Sequence, residues 1–254
     1  SSVLLTNTFI HASGIGYHTE MRLRRQGILT REDYLNAEAH LSLSSLQKRN
    51  LSHALQDARQ ALSEGDASYF ASVLSPSDTW RAYPDFAAST VYLDIETTGT
   101  NETDAVTVIG LYDGHETFSF VRGHNLEDFP DALSRYQQII TFFGRGFDVP
   151  VLRRVFPQID FDRLIHIDLC HVFHRMGVKG GLKKIERQFG IQRSPDTDGM
   201  DGFDAVRLWY AYLQGNKQAL DLLIRYNRED IVNLEPLMRY AYTTMRRHAL
   251  PEEA

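Results

Sequence analysis

The sequence holds one cysteine, Cys170, in 254 residues. A single thiol excludes an internal disulfide framework and any cysteine-rich zinc site, so a reducing, cytoplasmic setting is expected. Long apolar runs are missing too. None approaches the ~18 residues that span a bilayer, and the first residues lack the basic-then-apolar order of a secretory leader. No membrane partner is expected. Positive charge is scarce: 27 Lys and Arg stand against 33 Asp and Glu, a formal net charge of -6. That balance argues against gripping nucleic acid by bulk electrostatics. It does not exclude an enzyme acting on nucleic acid, because metal-binding carboxylates make a site locally acidic. Repeats and low-complexity tracts are absent, and the 43% hydrophobic fraction excludes a disordered chain.

What is present divides unevenly. Residues 1–65 hold seven Lys and Arg and six Asp and Glu, so the acidity belongs to the remainder. Residues 1–65 read as a small all-α segment and 66–88 as a turn-rich connector. Residues 89–254 read as an α/β domain. Alternation and turn residues predict strands over 91–97, 106–112, 117–121, 138–143 and 164–168. Helices are predicted over 128–136, 149–155, 182–189 and 203–213, with a last and longest one over 217–246. A strand meander followed by strands alternating with helices predicts a mixed β-sheet flanked by helices.

Three places carry candidate chemistry. Along Val91-Tyr92-Leu93-Asp94-Ile95-Glu96-Thr97, side chains alternate, so Val91, Leu93 and Ile95 face the core while Asp94 and Glu96 share the opposite face. Two carboxylates on one rigid face repel unless a cation lies between them; otherwise the pair is a solvated strand face. Thr97-Thr98-Gly99 then turns the chain where backbone can approach a ligand. In Phe147-Asp148-Val149-Pro150, Asp148 suits a helix N-cap with Pro in the first turn. A strand-to-helix turn also points at the sheet end where α/β proteins place ligands. In Tyr226-Asn227-Arg228-Glu229-Asp230, spacing of four puts Tyr226 and Asp230 on one face. The apolar stripe through Leu220, Leu223, Ile224, Ile231, Leu234 and Met238 places Asp230 at its edge and Glu229 on the solvated side. Four acidic residues together suit hard divalent ions, magnesium or manganese. Two such ions ~4 Å apart are a device for phosphodiester cleavage.

These residues resemble a known family. Leu93 to Gly99, Phe147-Asp148, and Tyr226 with Asp230 look like the three motifs of DEDD 3′–5′ exonucleases of the ribonuclease H-like superfamily, and the tyrosine marks the DEDDy branch. The nearer resemblance is to the YprB-like ribonuclease H-like family. It extends to Trp80-Arg81 and to Gly181-Leu182-Lys183-Lys184-Ile185-Glu186. The resemblance implies that Asp94, Glu96, Asp148 and Asp230 bind two Mg2+ or Mn2+ ions and that Tyr226 orients the attacking water. Thr97, Thr98 and Phe147 would touch the strand. It implies a 3′–5′ exonuclease on single-stranded ends, with DNA favoured over RNA. The alternatives are a structure-specific endonuclease, an RNA-processing nuclease, or a silent nucleic-acid-binding scaffold. One departure is Phe143, which stands where the second motif usually has Asn.

The N-terminal segment has its own resemblance. Gly14-Ile15-Gly16, Thr19, Leu23, Gly27-Ile28, Thr30, Asp33 and Leu35 look like a helix-hairpin-helix unit. Such units offer backbone N–H groups of Gly14 and Gly16 to a DNA phosphate, with Arg22, Arg24 and Arg25 nearby. The other reading is a packing turn. His166, His171 and His174 read as packing or surface residues, Asp168 as a supporting residue, and Lys183 and Lys184 as a solvated face that could meet phosphate.

Overall fold

The computed structural model describes residues 3–99 and 105–250. Five helices open the chain: α1 Val3–Thr6, α2 Tyr17–Arg25, α3 Arg31–Ala37, α4 Ser45–Glu64 and α5 Ala67–Val73. Capping boxes at Thr30 and Ser44 start α3 and α4, and Gly65 at φ 65° stops α4. Phe9, Ile15, Leu23, Tyr34, Leu51 and Leu55 form a small core of their own. The other side of this segment does not stand apart. Leu4, Leu5 and Ala58 share one apolar cluster with Phe70, Trp80 and Phe86 and with Ile165 and Ile167 of the sheet domain. Residues 66–88, expected as a connector, thus give Ala67, Phe70, Leu74, Trp80, Ala82 and Phe86 to this core, while Ser75, Pro76 and Ser77 between them are exposed.

A buried ion pair joins the same parts. Glu20 on α2 accepts from Arg81 at 2.8 and 3.1 Å and from the N–H groups of Phe9 and Ile10 at 2.9 Å. Arg24 lies beside it, its guanidinium 4.2 Å over the Phe9 ring and donating to Asn7 O and Leu29 O. Arg24 is buried, which removes it from the expected phosphate contacts. Arg22 and Arg25 are exposed, although Arg22 donates to Ser42 O at 3.4 Å. Gly14 turns at φ 84°, where glycine carries no Cβ strain, and its carbonyl accepts from Gln47 on α4. Gly16 is the N-cap of α2 with no side-chain cap.

The sheet contains β1 Thr90–Thr97, β2 Val106–Tyr112, β3 Thr117–Val121, β4 Gln138–Thr141 and β5 Ile165–Asp168, in the order β3-β2-β1-β4-β5. β1, β2 and β3 are an antiparallel meander, while β4 and β5 run parallel to β1. The parallel steps need crossovers, supplied by α6 Phe129–Leu133 and α7 Asp148–Val155. After β5 come α8 Leu169–Arg175, α9 Leu182–Gln188, α10 Gly202–Leu213, α11 Lys217–Val232 and α12 Leu234–Ala249. Val91, Leu93 and Ile95 pack against α6 and α7. Tyr92 and Ile140 belong to the cluster formed with α8 and α12. Helices therefore cover both faces of the mixed sheet, as expected.

Several boundaries differ from the sequence reading. The helix expected over 217–246 is two helices meeting at Asn233, and α4, with 20 residues, is longer than either. Pro236 sits in the first turn of α12, where its missing N–H has no intrahelical role. The apolar stripe runs on through both helices, which conceals the break. The strand expected to reach Phe143 ends at Thr141, and the helix expected over 128–136 is the short α6.

Candidate metal centre

Asp94 and Glu96 leave β1 on the face opposite Leu93 and Ile95. Across the sheet Asp94 pairs with Gly110 of β2. A Cβ at Gly110 would collide with Asn227 Oδ1, so the absent side chain lets α11 lie close to the strands. Asn227, fully buried, donates from Nδ2 to Asp94 O at 3.2 Å and to Asp94 Oδ2 at 3.3 Å. Asp230, one turn nearer the end of the same helix, is then carried to the strand carboxylates. Asp94, Glu96 and Asp230 each place an oxygen within 4.8 Å of the others. A register shift between Glu96 and Thr97 ends regular pairing at this edge.

Asp148 is held differently. Phe147 occupies the N-cap of α7, and Asp148, its first residue, accepts from Ile95 N at 3.2 Å. The capping role considered for Asp148 gives way to a bond across to β1. Glu96, Asp148 and Asp230 are buried and Asp94 is half-buried, so the solvated-face reading of the β1 pair fails.

Burial and mutual repulsion govern the protonation of these groups. Burial raises the Asp94 carboxyl well above its ordinary range, and Asp230, Asp148 and Glu96 push it further. Glu96 is raised by burial and Asp230, against the pull of Asn227 and Lys183. Asp148 is pushed up to about 7, mainly by burial; the Ile95 N–H opposes this and the Asp168 and Asp230 charges add to it. The Tyr226 hydroxyl is raised by burial and then by Asp230, Glu96 and Asp94. Such a cluster is unfavourable without a compensating cation. Its all-oxygen donor set fits magnesium or manganese.

A cation also stands at this place, one that the sequence motifs do not reveal. Arg193, from the loop after α9, donates from Nη2 to Asp230 Oδ1 at 2.5 Å. Its Nε and Nη2 also meet both oxygens of Glu186 at 2.9 and 2.8 Å, and Asn233 Nδ2 donates to Glu186 Oε2 at 2.9 Å. Arg193 and Lys183 both lie over the Tyr226 ring, at 5.6 and 4.8 Å from its centroid. Glu229, expected in solvent, is half-buried and accepts from Ser194 and Thr197, which pins the loop carrying Arg193.

The remaining candidates frame the centre. A cleft of about 470 Å³ beside Glu96 is bordered by Thr97, Thr98, Phe147 and the 80% exposed Phe203. Asp168 lies outside the carboxylate group. It accepts from Phe143 N at 2.7 Å, Arg145 N at 3.2 Å and Cys170 N at 3.0 Å, so it anchors the loop before Phe147. In that loop Phe143 adopts φ 64°, a left-handed conformation that Asn tolerates better. Buried His166 pairs with Thr141 at 2.8 Å, and His171 and His174 are exposed. Gly14 and Gly16 lie in the turn before α2 and Arg22 lies on α2; none is part of the carboxylate group.

A family model described as the RNase H superfamily matches residues 91–242, from the second residue of β1 to within α12. Among solved structures, the family B DNA polymerase from the hyperthermophilic archaeon Pyrobaculum calidifontis superposes with a TM-score of 0.45 at 16% sequence identity. The overlap covers 60% of this chain and 27% of that one, so this chain spans about a quarter of the polymerase's length. No curated protein sequence matches the chain.

Proposed function

The chain belongs to the RNase H superfamily, and we propose that it is a divalent-metal-dependent nuclease acting as a 3′–5′ exonuclease on single-stranded ends, DNA before RNA. One observation carries the reading: three buried or half-buried carboxylates, Asp94, Glu96 and Asp230, converge within 4.8 Å although burial and the Asp230 charge disfavour ionisation of Asp94 and Glu96. A scaffold gains nothing from that repulsion. Asp94, Glu96 and Asp230, with Asp148, would hold two Mg2+ or Mn2+ ions. Bound ions would supply an activated water and stabilisation of the leaving oxygen.

The chain's own residues prepare that chemistry. Asn227 fixes Asp94 by gripping both its carbonyl and its carboxylate. Arg193 occupies Oδ1 of Asp230 and leaves Oδ2 for a metal. Tyr226, whose hydroxyl stays protonated beside three carboxylates, is assigned to orienting the attacking water. Thr97, Thr98 and Phe147 would receive the terminal nucleotide in the cleft beside Glu96. Gly14, Gly16 and Arg22 remain the proposed phosphate contacts of the N-terminal helices. Arg193 gives a second reading some support, since it already supplies Asp230 with a cation, as a silent scaffold would need.

Single-stranded DNA and RNA oligonucleotides, labelled in turn at each end and incubated with manganese, test the proposal. A 5′ label should descend in a ladder while a 3′ label is released at once as mononucleotide. Intact oligonucleotides with both labels would favour the scaffold.

A further inference from the structure

A second cavity, of about 260 Å³, opens beside Arg193. Lys183 and Arg187, four residues apart on α9, line it from one helix face, and Gln192, Arg193 and Gly199 line it from the following loop. Three cations around one small space are conspicuous in a chain of net charge -6. The two carboxylates in its wall do not balance them. Glu186 is consumed by Arg193 and Asn233, which leaves Asp198 against Lys183 and Arg187. Among the described residues neither Lys183 nor Arg187 forms an ion pair. Arg193 Nη1 is buried and has no acceptor. A guanidinium with an unmatched N–H, beside an Arg187 that forms no ion pair and a Lys183 that lies over the Tyr226 ring, is chemistry for an oxyanion.

Size and lining narrow the anion. Among the described residues no aromatic side chain lines the space for a base to stack on, so it suits a phosphate group and not a nucleoside. It adjoins the carboxylates, because Arg193 touches Asp230 and Lys183 lies over Tyr226. We propose that this cavity binds a backbone phosphodiester of the strand being cleaved, at a linkage other than the scissile one, through Arg187 and Arg193. The proposal rests on the nuclease reading.

The test uses the full chain and a fluorescent single-stranded DNA bound in calcium in place of manganese. A single neutral methylphosphonate linkage is moved along the strand and affinity is read by anisotropy. Wild type should lose roughly tenfold at one linkage, the scale of one charge-assisted bond. That loss should vanish in Arg187→Gln, an exposed position whose change leaves the fold intact. The slope of log affinity against log salt should also flatten by about 0.7 in the variant. A flat profile in wild type, or the same loss in Arg187→Gln, overturns the proposal while manganese-dependent cleavage keeps the nuclease reading standing. Failure to bind any oligonucleotide removes both.

Discussion

Arg193 donates to Oδ1 of Asp230 at 2.5 Å while both oxygens of Glu186 grip the same guanidinium. The Arg193–Glu186 pair is nearly solvent-free, with side chains 4% and 2% exposed. It acts as a neutral dipole whose positive end meets a metal-ligand candidate. Removing one member leaves the other charge buried and uncompensated. Arg193→Ala should therefore destabilise the fold by about 3–5 kcal/mol, whereas Arg193→Leu with Glu186→Leu should lose much less. Urea denaturation of the two variants checks this, and equal losses would deny the coupling.

If the carboxylates hold a metal as proposed, their protonation makes the response to it depend on pH. Asp148 keeps its proton to about pH 7 in the fold but loses it near 3.8 when unfolded. The folded state binds more protons across that window, so these carboxylates reduce stability as pH rises through it. His166 works oppositely: burial lowers it to about 3 from 6.5, so its stabilisation is lost as pH falls below the upper value. The manganese-induced rise in Tm isolates the carboxylates, since a bound ion must displace their protons. The rise should be larger at about pH 8 than at about pH 5. Equal rises at both would detach metal binding from this cluster.

Gly110 is needed for its emptiness, and no positive φ is involved. In Gly110→Ala the new methyl meets Asn227 Oδ1. The strain should be about 1–3 kcal/mol, with a fall in manganese affinity as α11 moves off Asp94. Adding Asn227→Ala should recover part of the stability but not the metal affinity. Calorimetric titration of the single and double variants separates the two effects.

Tyr226 and Asp230 share a helix face and differ in chemistry. Tyr226→Phe should keep fold and metal affinity and lower the cleavage rate about 10²-fold, the scale of a lost positioning contact. Were Tyr226 only a packing ring among Trp209 and Leu223, the substitution would be silent in single-turnover kinetics.

Much of this centre could be read from local pattern. The two-residue period of β1 separates Asp94 and Glu96 from Leu93 and Ile95, and the stripe on α11 marks Asp230 as inward-facing, because both depend on neighbours within a few residues. Arg193 could not be found that way. Its partner Asp230 lies 37 residues away, and only the folding of the loop after α9 brings them together. The burial of Glu229 escapes local pattern for the same reason: a helix wheel sees solvent where Ser194 and Thr197 close over the side chain. Phe143 shows as a departure from the motif in sequence, but its left-handed backbone appears only in three dimensions.

Asp94, Glu96 and Asp230 are proposed to form a metal-dependent hydrolytic centre. Single-turnover cleavage of a 5′-labelled single-stranded DNA at saturating manganese, wild type against Asp94→Asn, tests it most directly. Asn keeps the shape of Asp94 and removes the charge that a divalent ion needs, so wild type should cleave and the variant should show no turnover while melting as a folded protein. Equal rates in the two proteins would contradict the account.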